Sequence, residues 1–132
     1  LYMKYLTLLK MIKINSKYKV LGAKDIRYFI VTGGRGSGKS FSVNTAITAL
    51  VTGEEGHKVL FTRYTLKAAE KSIIPEFIEK IELTGSQNEF DVKAKSITNK
   101  VTGSDILFEG IKISSGNQTA KLKSLQGVTT WV

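Results

Sequence analysis

The sequence predicts an α/β fold, a parallel-sheet core with flanking helices and an antiparallel β addition. Three observations carry this reading. YFIVT (28–32), GGRGSGKS (33–40) and FSVNTAITALV (41–51) follow one another as strand, glycine-rich loop and helix. KVLFT (58–62) comes next after a short polar connection, giving a strand–helix–strand unit, and such a parallel pair needs a right-handed crossover. From Glu89 onwards the apolar period changes from helical to two, as on half-exposed antiparallel strands.

Taken in order, residues 1–25 show no clean periodicity and read as an irregular lead-in packed against the loop or a sheet edge. Residues 1–17 are expected to be a lead-in or a remnant, with Met3 or Met11 as alternative natural starts, and 18–132 the domain itself. Tyr28–Val31 is short, apolar and β-prone, as a buried parallel strand is. In the helix that follows the loop, Val43, Ala46, Ile47 and Leu50 fall at i, i+3, i+4 and i+7, one apolar stripe. Gly53 stands where that helix should stop. His57, the only histidine, lies in the polar stretch TGEEGH and reads as a solvated turn residue.

Leu66, Ala69, Ile73, Ile74, Phe77, Ile78 and Ile81 keep helical spacing as far as Gly85. Pro75 inside that run predicts a kink or two abutting helices. Phe90, Val92 and Ala94 then alternate with charged residues, and ITNKV (97–101) and DILFEGI (105–111) form further strands joined through TGS as an antiparallel meander. SSGNQ (114–118) reads as a loop, TAKLKSL (119–125) as a short helical turn, and VTTWV (128–132) as a last, central strand.

The loop carries the chemistry. Gly33, Gly38, Lys39 and Ser40 satisfy G-x-x-x-x-G-K-[ST], so Gly33, Gly34, Arg35, Gly36, Ser37, Gly38, Lys39 and Ser40 are the candidate ligand-binding residues. Glycines let successive N–H groups converge on anionic oxygens, and the following helix adds its unpaired N–H groups and the positive end of its dipole. Lys39 is placed to reach the β- and γ-phosphates, and the Ser40 hydroxyl to ligate Mg²⁺. The expected fold is therefore that of a P-loop NTPase, with ATP and Mg²⁺ as cofactors.

Catalysis by such a loop also needs a strand-borne acid to hold the metal's water and an acid to polarise the attacking water. Glu109 after ILF is one candidate; the other is an acid following VTTWV, beyond Val132. The second is the reading adopted, so the domain is expected to be truncated before its catalytic acids and this fragment inactive or nearly so. Arg35, inside the loop, is a candidate for stabilising charge on the transferring phosphoryl group. Arg63, closing the second strand, would emerge on the same carboxyl edge of a parallel sheet. Arg27 precedes the first strand and reads as structural.

Bulk composition sets the remaining bounds. The chain has 132 residues, enough for one domain with a real core, and 42% hydrophobic with 23% charged residues is a globular balance. No apolar run approaches the ~20 residues of a membrane span, so no membrane association is expected. LYMKYLTLLKMI is broken by Lys4 and Lys10 and lacks a signal-peptide cleavage site. Without cysteine, disulfides and thiolate metal sites are excluded. A net charge of +9, with 20 basic against 11 acidic residues, suits a polyanion such as nucleic acid.

GGRGSGKSFSV, with its arginine inside the loop, resembles the phosphate loop of large terminase subunits, the motors that package DNA into tailed-phage capsids. RYTLKAAEKSI (63–73), ITNKVTGSDILFEGI (97–111) and AKLKSLQGVTTWV (120–132) resemble further family segments in the same order. The resemblance implies an ATPase that translocates double-stranded DNA into a procapsid. It further implies a homo-oligomeric ring, a small terminase subunit and the portal protein as partners, and the cytoplasm of a bacterial host as location. By the same resemblance Arg35 senses or stabilises the γ-phosphate, and either Lys121 or Lys123 acts on a neighbouring subunit's nucleotide. The family's acidic pair, coupling motif and nuclease domain have no counterpart in these 132 residues. A P-loop helicase or recombination ATPase is an alternative that the 97–111 pattern argues against, and a non-hydrolysing nucleotide- or DNA-binding prophage remnant is another.

Overall fold

The computed structural model of the chain describes residues 12–112 and 125–132. Its five strands are β1 (Lys58–Arg63), β2 (Phe90–Val92), β3 (Ser96–Asn99), β4 (Asp105–Gly110) and β5 (Thr130–Trp131), in the sheet order β2-β3-β4-β1-β5. β1 runs parallel to β4 on one side and to β5 on the other, while β2–β3 and β3–β4 are antiparallel. A parallel core with an antiparallel addition is thus the observed α/β arrangement. Helices α1 (Lys39–Gly53) and α2 (Leu66–Leu83) accompany it, with 3-10 helices at Ser16–Gly22 and Gln87–Glu89.

The register explains the core. Val59 pairs with Ile106 and Phe61 with Phe108, so their side chains share one face. Phe77 of α2 lies over that face, with ring centroids 5.8 Å from Phe61 and 5.9 Å from Phe108. Each such ring contributes about 1.5–3 kcal/mol by burial, and edge-on pairing adds about 0.5–1.5 kcal/mol. Ile47 and Val51 of α1 join the same cluster, as do Ile73, Ile74 and Ile81 of α2. α2 starts where the Thr65 hydroxyl accepts from the Ala68 N–H and ends at Gly85 (φ 65°), the stop expected for it.

Four expectations need correction. VTTWV is not a central strand: β5 spans only Thr130–Trp131 and stands at the edge of the sheet beside β1, with Trp131 66% exposed, because among the described residues no strand pairs with its outer side. Tyr28–Val31 is extended but pairs with no strand, and Tyr28 and Ile30 are 78% and 92% exposed. Both edges of β1 are taken, by β4 and β5, which excludes the direct pairing with β1, while the outer edge of β5 has no partner among the described residues. Pro75 does not divide two helices: α2 is one element of 18 residues that carries it on its exposed side. His57 is not a solvated turn residue. Its Nε2 lies 2.9 Å from Glu54 Oε2 and its Nδ1 3.0 Å from Thr129 Oγ1, so it ties the end of α1 to the segment entering β5. Residues 114–118, the helical turn proposed for 119–125 apart from Leu125, and Lys121 and Lys123 lie outside the described residues.

α1 buries more than its apolar stripe. Ile47 is buried and Val43 and Leu50 pack on the core, but Ser42, Asn44, Thr45, Thr48 and Thr52 are buried as well. The threonines satisfy their hydroxyls inside the helix, Thr45 on Phe41 O (2.7 Å), Thr48 on Asn44 O (2.9 Å) and Thr52 on Thr48 O (2.7 Å). Covering these three hydroxyls is therefore cheap, whereas Asn44 Oδ1 is buried without a hydrogen-bond partner among the described residues.

Gly110 ends β4 under the start of α2, where an added Cβ would lie 2.7 Å from the Leu66 backbone nitrogen. Gly110→Ala is expected to destabilise the chain by about 1–3 kcal/mol, because the obstacle is backbone and cannot rotate away. Urea unfolding measures it, with Gly103→Ala, which meets open space but sits at φ 68°, as the contrast for backbone strain alone.

The Glu54 carboxylate is held below its ordinary value of 4.5, chiefly by its hydrogen bond with His57, with Lys24 (3.4 Å) adding to it. The stabilisation is present above that ordinary value and is lost as pH falls through the lower folded value. The group is partly exposed, so the contribution is expected not to exceed about 1 kcal/mol. Glu54→Gln should lower stability at neutral pH and converge with the wild type in acid, as followed by urea unfolding at stepped pH.

Candidate phosphate-binding site

The loop 33–38 leads directly into α1, whose first residue is Lys39. Gly38 is the residue before the helix and adopts φ 79°, ψ 13°, a left-handed conformation that favours glycine. A left-handed residue followed by a helical one turns consecutive N–H groups to one side, forming a concave anion nest. No side chain caps the helix. The first N–H of the helix to find a partner is that of Ser42, on Gly38 O at 3.0 Å. The N–H groups of Gly38, Lys39, Ser40 and Phe41 therefore have no hydrogen-bond partner among the described residues.

Lys39 turns back over the loop. Its ammonium donates to Gly33 O, to Gly34 O at 2.8 Å and to Ser37 Oγ at 3.1 Å. Gly33 needs to be glycine for this, since an added Cβ would stand 3.0 Å from Ser37 Oγ at a φ of 148°. Four open donors and a lysine ammonium around one short loop make a site suited chemically to a polyphosphate. Ser40 is exposed, and its hydroxyl is bonded to no described residue.

Two neighbours hold the loop and its helix in place. Tyr18, buried in the 3-10 helix Ser16–Gly22, donates its hydroxyl to Ser37 O at 3.1 Å. An open pocket of about 210 Å³ lies beside it, with Leu21, Phe29 and Val31 in its wall. On the other side α2 grips the first turns of α1: Lys80, only 1% exposed, sets its ammonium 4.1 Å above the Phe41 ring, and Asn44 Nδ2 donates to Glu76 Oε2. Sequence patterning did not reveal these contacts; the one available signal was a lysine and a glutamate on the apolar face of α2.

The other predicted residues are dispersed. Arg35 is exposed in the loop and its guanidinium has no partner among the described residues. Arg63 closes β1, exposed, and no hydrogen bond or ion pair joins it to the loop. Glu109 sits on β4 opposite Thr62, on the face away from Phe108. Arg27 lies 5.5 Å from the Tyr28 ring. Among the described residues no group of three or more His, Asp or Glu is placed to hold a metal ion, and no helix is long and apolar enough to cross a membrane.

No curated protein matches the sequence. The model of the phage terminase large subunit family matches residues 25–132, which contain the loop, α1, α2 and all five strands. The chain belongs to the phage terminase large subunit family.

Proposed function

We propose that residues 33–40 bind ATP with Mg²⁺, and that in the intact motor this site powers translocation of double-stranded DNA into a procapsid. Membership of the family makes the chain a component of phage DNA packaging. The observation that carries the finer reading is the set of four N–H groups, Gly38–Phe41, without a partner among the described residues, beside a loop over which the Lys39 ammonium folds. These residues fit a triphosphate: the N–H groups would donate to its oxygens, Lys39 would neutralise its charge, and the Ser40 hydroxyl, bonded to no described residue, would serve as a metal ligand. Mg²⁺ would supply charge neutralisation across the phosphates. Arg35, unpaired and next to the nest, is assigned to the γ-phosphate, and Arg63 to the same edge of the site. Phosphoryl transfer also requires a carboxylate that orients water, and no described carboxylate is bonded to Lys39 or Ser40. The described residues thus supply the binding half of the activity. The small terminase subunit, the portal protein and other copies of the chain in a ring are the partners proposed on the family's account.

Lys39→Ala should weaken MgATP binding roughly ten- to a hundredfold, a charged contact of about 1.5–3 kcal/mol. Calorimetric titration checks this, and unchanged affinity would remove the assignment. The surplus of nine positive charges is proposed to meet DNA phosphates without sequence preference. Affinity for an arbitrary duplex is then expected to fall linearly on a log–log plot against salt, as released counterions require. Binding that is absent at low salt, or indifferent to it, would make the surplus a matter of solubility.

A further inference from the structure

The bond from Tyr18 to the loop has a role beyond holding two segments together. Tyr18 is 5% exposed, and its ring lies against Gly38, whose added Cβ would be 4.0 Å from Tyr18 Cε2. The Lys17 ammonium stands 4.8 Å from the ring centroid. Among the described residues, the Tyr18 hydroxyl makes the only hydrogen bond that reaches loop 33–38 from outside the loop and its helix. The other bonds of the loop are its own: Ser37 N–H to Gly34 O at 3.3 Å, and the three from Lys39.

The acceptor decides what that bond does. In a trans peptide the C=O and N–H point in opposite directions. Fixing Ser37 O towards Tyr18 therefore turns the Gly38 N–H away from Tyr18, and the N–H groups next in the chain, of Lys39 and Ser40, are likewise without a partner among the described residues. Glycines at 36 and 38, both at positive φ, leave the intervening peptides little resistance to flipping. A flipped Ser37–Gly38 peptide would withdraw one donor from the nest and put a carbonyl oxygen in its place, facing an anion.

We propose that Tyr18 is a positioning residue of the phosphate loop: its hydroxyl fixes the Ser37–Gly38 peptide in the orientation that presents the Gly38 N–H to phosphate. This rests on reading residues 33–40 as a nucleotide site. Because the tether acts on the phosphate cradle and not on the base, its loss weakens pyrophosphate and ATP alike.

The test titrates the full chain with MgATP and with magnesium pyrophosphate, comparing wild type, Tyr18→Phe and Lys39→Ala, with thermal unfolding of each. Tyr18→Phe is expected to bind both ligands roughly three- to tenfold more weakly, at an unchanged melting temperature. Equal affinity for both ligands in Tyr18→Phe overturns the tether while leaving the nucleotide site standing. A loss confined to ATP also overturns it, since that would make Tyr18 a contact of the base. If Lys39→Ala binds as the wild type does, the nucleotide reading falls and the tether with it. Should Tyr18→Phe not fold, Tyr18→para-aminophenylalanine and Tyr18→para-methylphenylalanine carry the same comparison. These fill the hydroxyl's volume with and without a donor; only the first should keep wild-type affinity for both ligands, and equal affinities in the pair overturn the proposal.

Discussion

Burial of β1 between two parallel neighbours is the constraint on which the other elements depend. Val59, Leu60 and Phe61 are all buried, so this strand has no face left for solvent. Phe61 and Phe108 are set side by side by the parallel register, and only a helix crossing above them covers both rings. α2 does so through Phe77, and its own start is fixed by the close approach of Leu66 to Gly110. α1 reaches the same cluster through Ile47 and Val51, with Val43 and Leu50 packed against it, and the loop 33–38 precedes the part of the helix that this contact holds.

Much of this was legible because it is local. The helix after the loop (though it begins at Lys39, two residues before the expected 41), the Gly85 stop of α2 and the alternation of β3 and β4 each follow from a few neighbouring residues. What was not legible depends on distant partners. Tyr28–Val31 has every mark of a strand, yet the place beside β1 belongs to β4 and β5, strands supplied by residues far along the chain. His57 looks like a turn residue until Thr129, 72 positions later, comes alongside. The buried threonines of α1 escape an apolar-stripe reading because their hydroxyls are satisfied within the helix, invisibly to periodicity. In the candidate site, the glycines, Lys39 and Ser40 were readable as a motif, whereas the Tyr18 tether joins residues 19 apart with no pattern between them.

The same contrast separates the two supports of the loop. On the α2 side a buried ammonium meets an aromatic face, and an amide meets a carboxylate, across a helix–helix contact. Lys80 keeps a partner in Glu79 at 3.4 Å, so its charge is compensated at the rim of the contact. On the Tyr18 side a single neutral bond holds the loop backbone. The helix is thereby anchored more firmly than the loop that precedes it, a gradient of rigidity along eight residues of sequence.

The inward fold of Lys39 carries a consequence of its own. With its ammonium already on three loop oxygens, the site contains a built-in competitor for any incoming anion. On the proposed reading of this loop, an incoming phosphate would have to replace those three contacts, and one carrying several charged oxygens would do so more favourably than a singly charged anion.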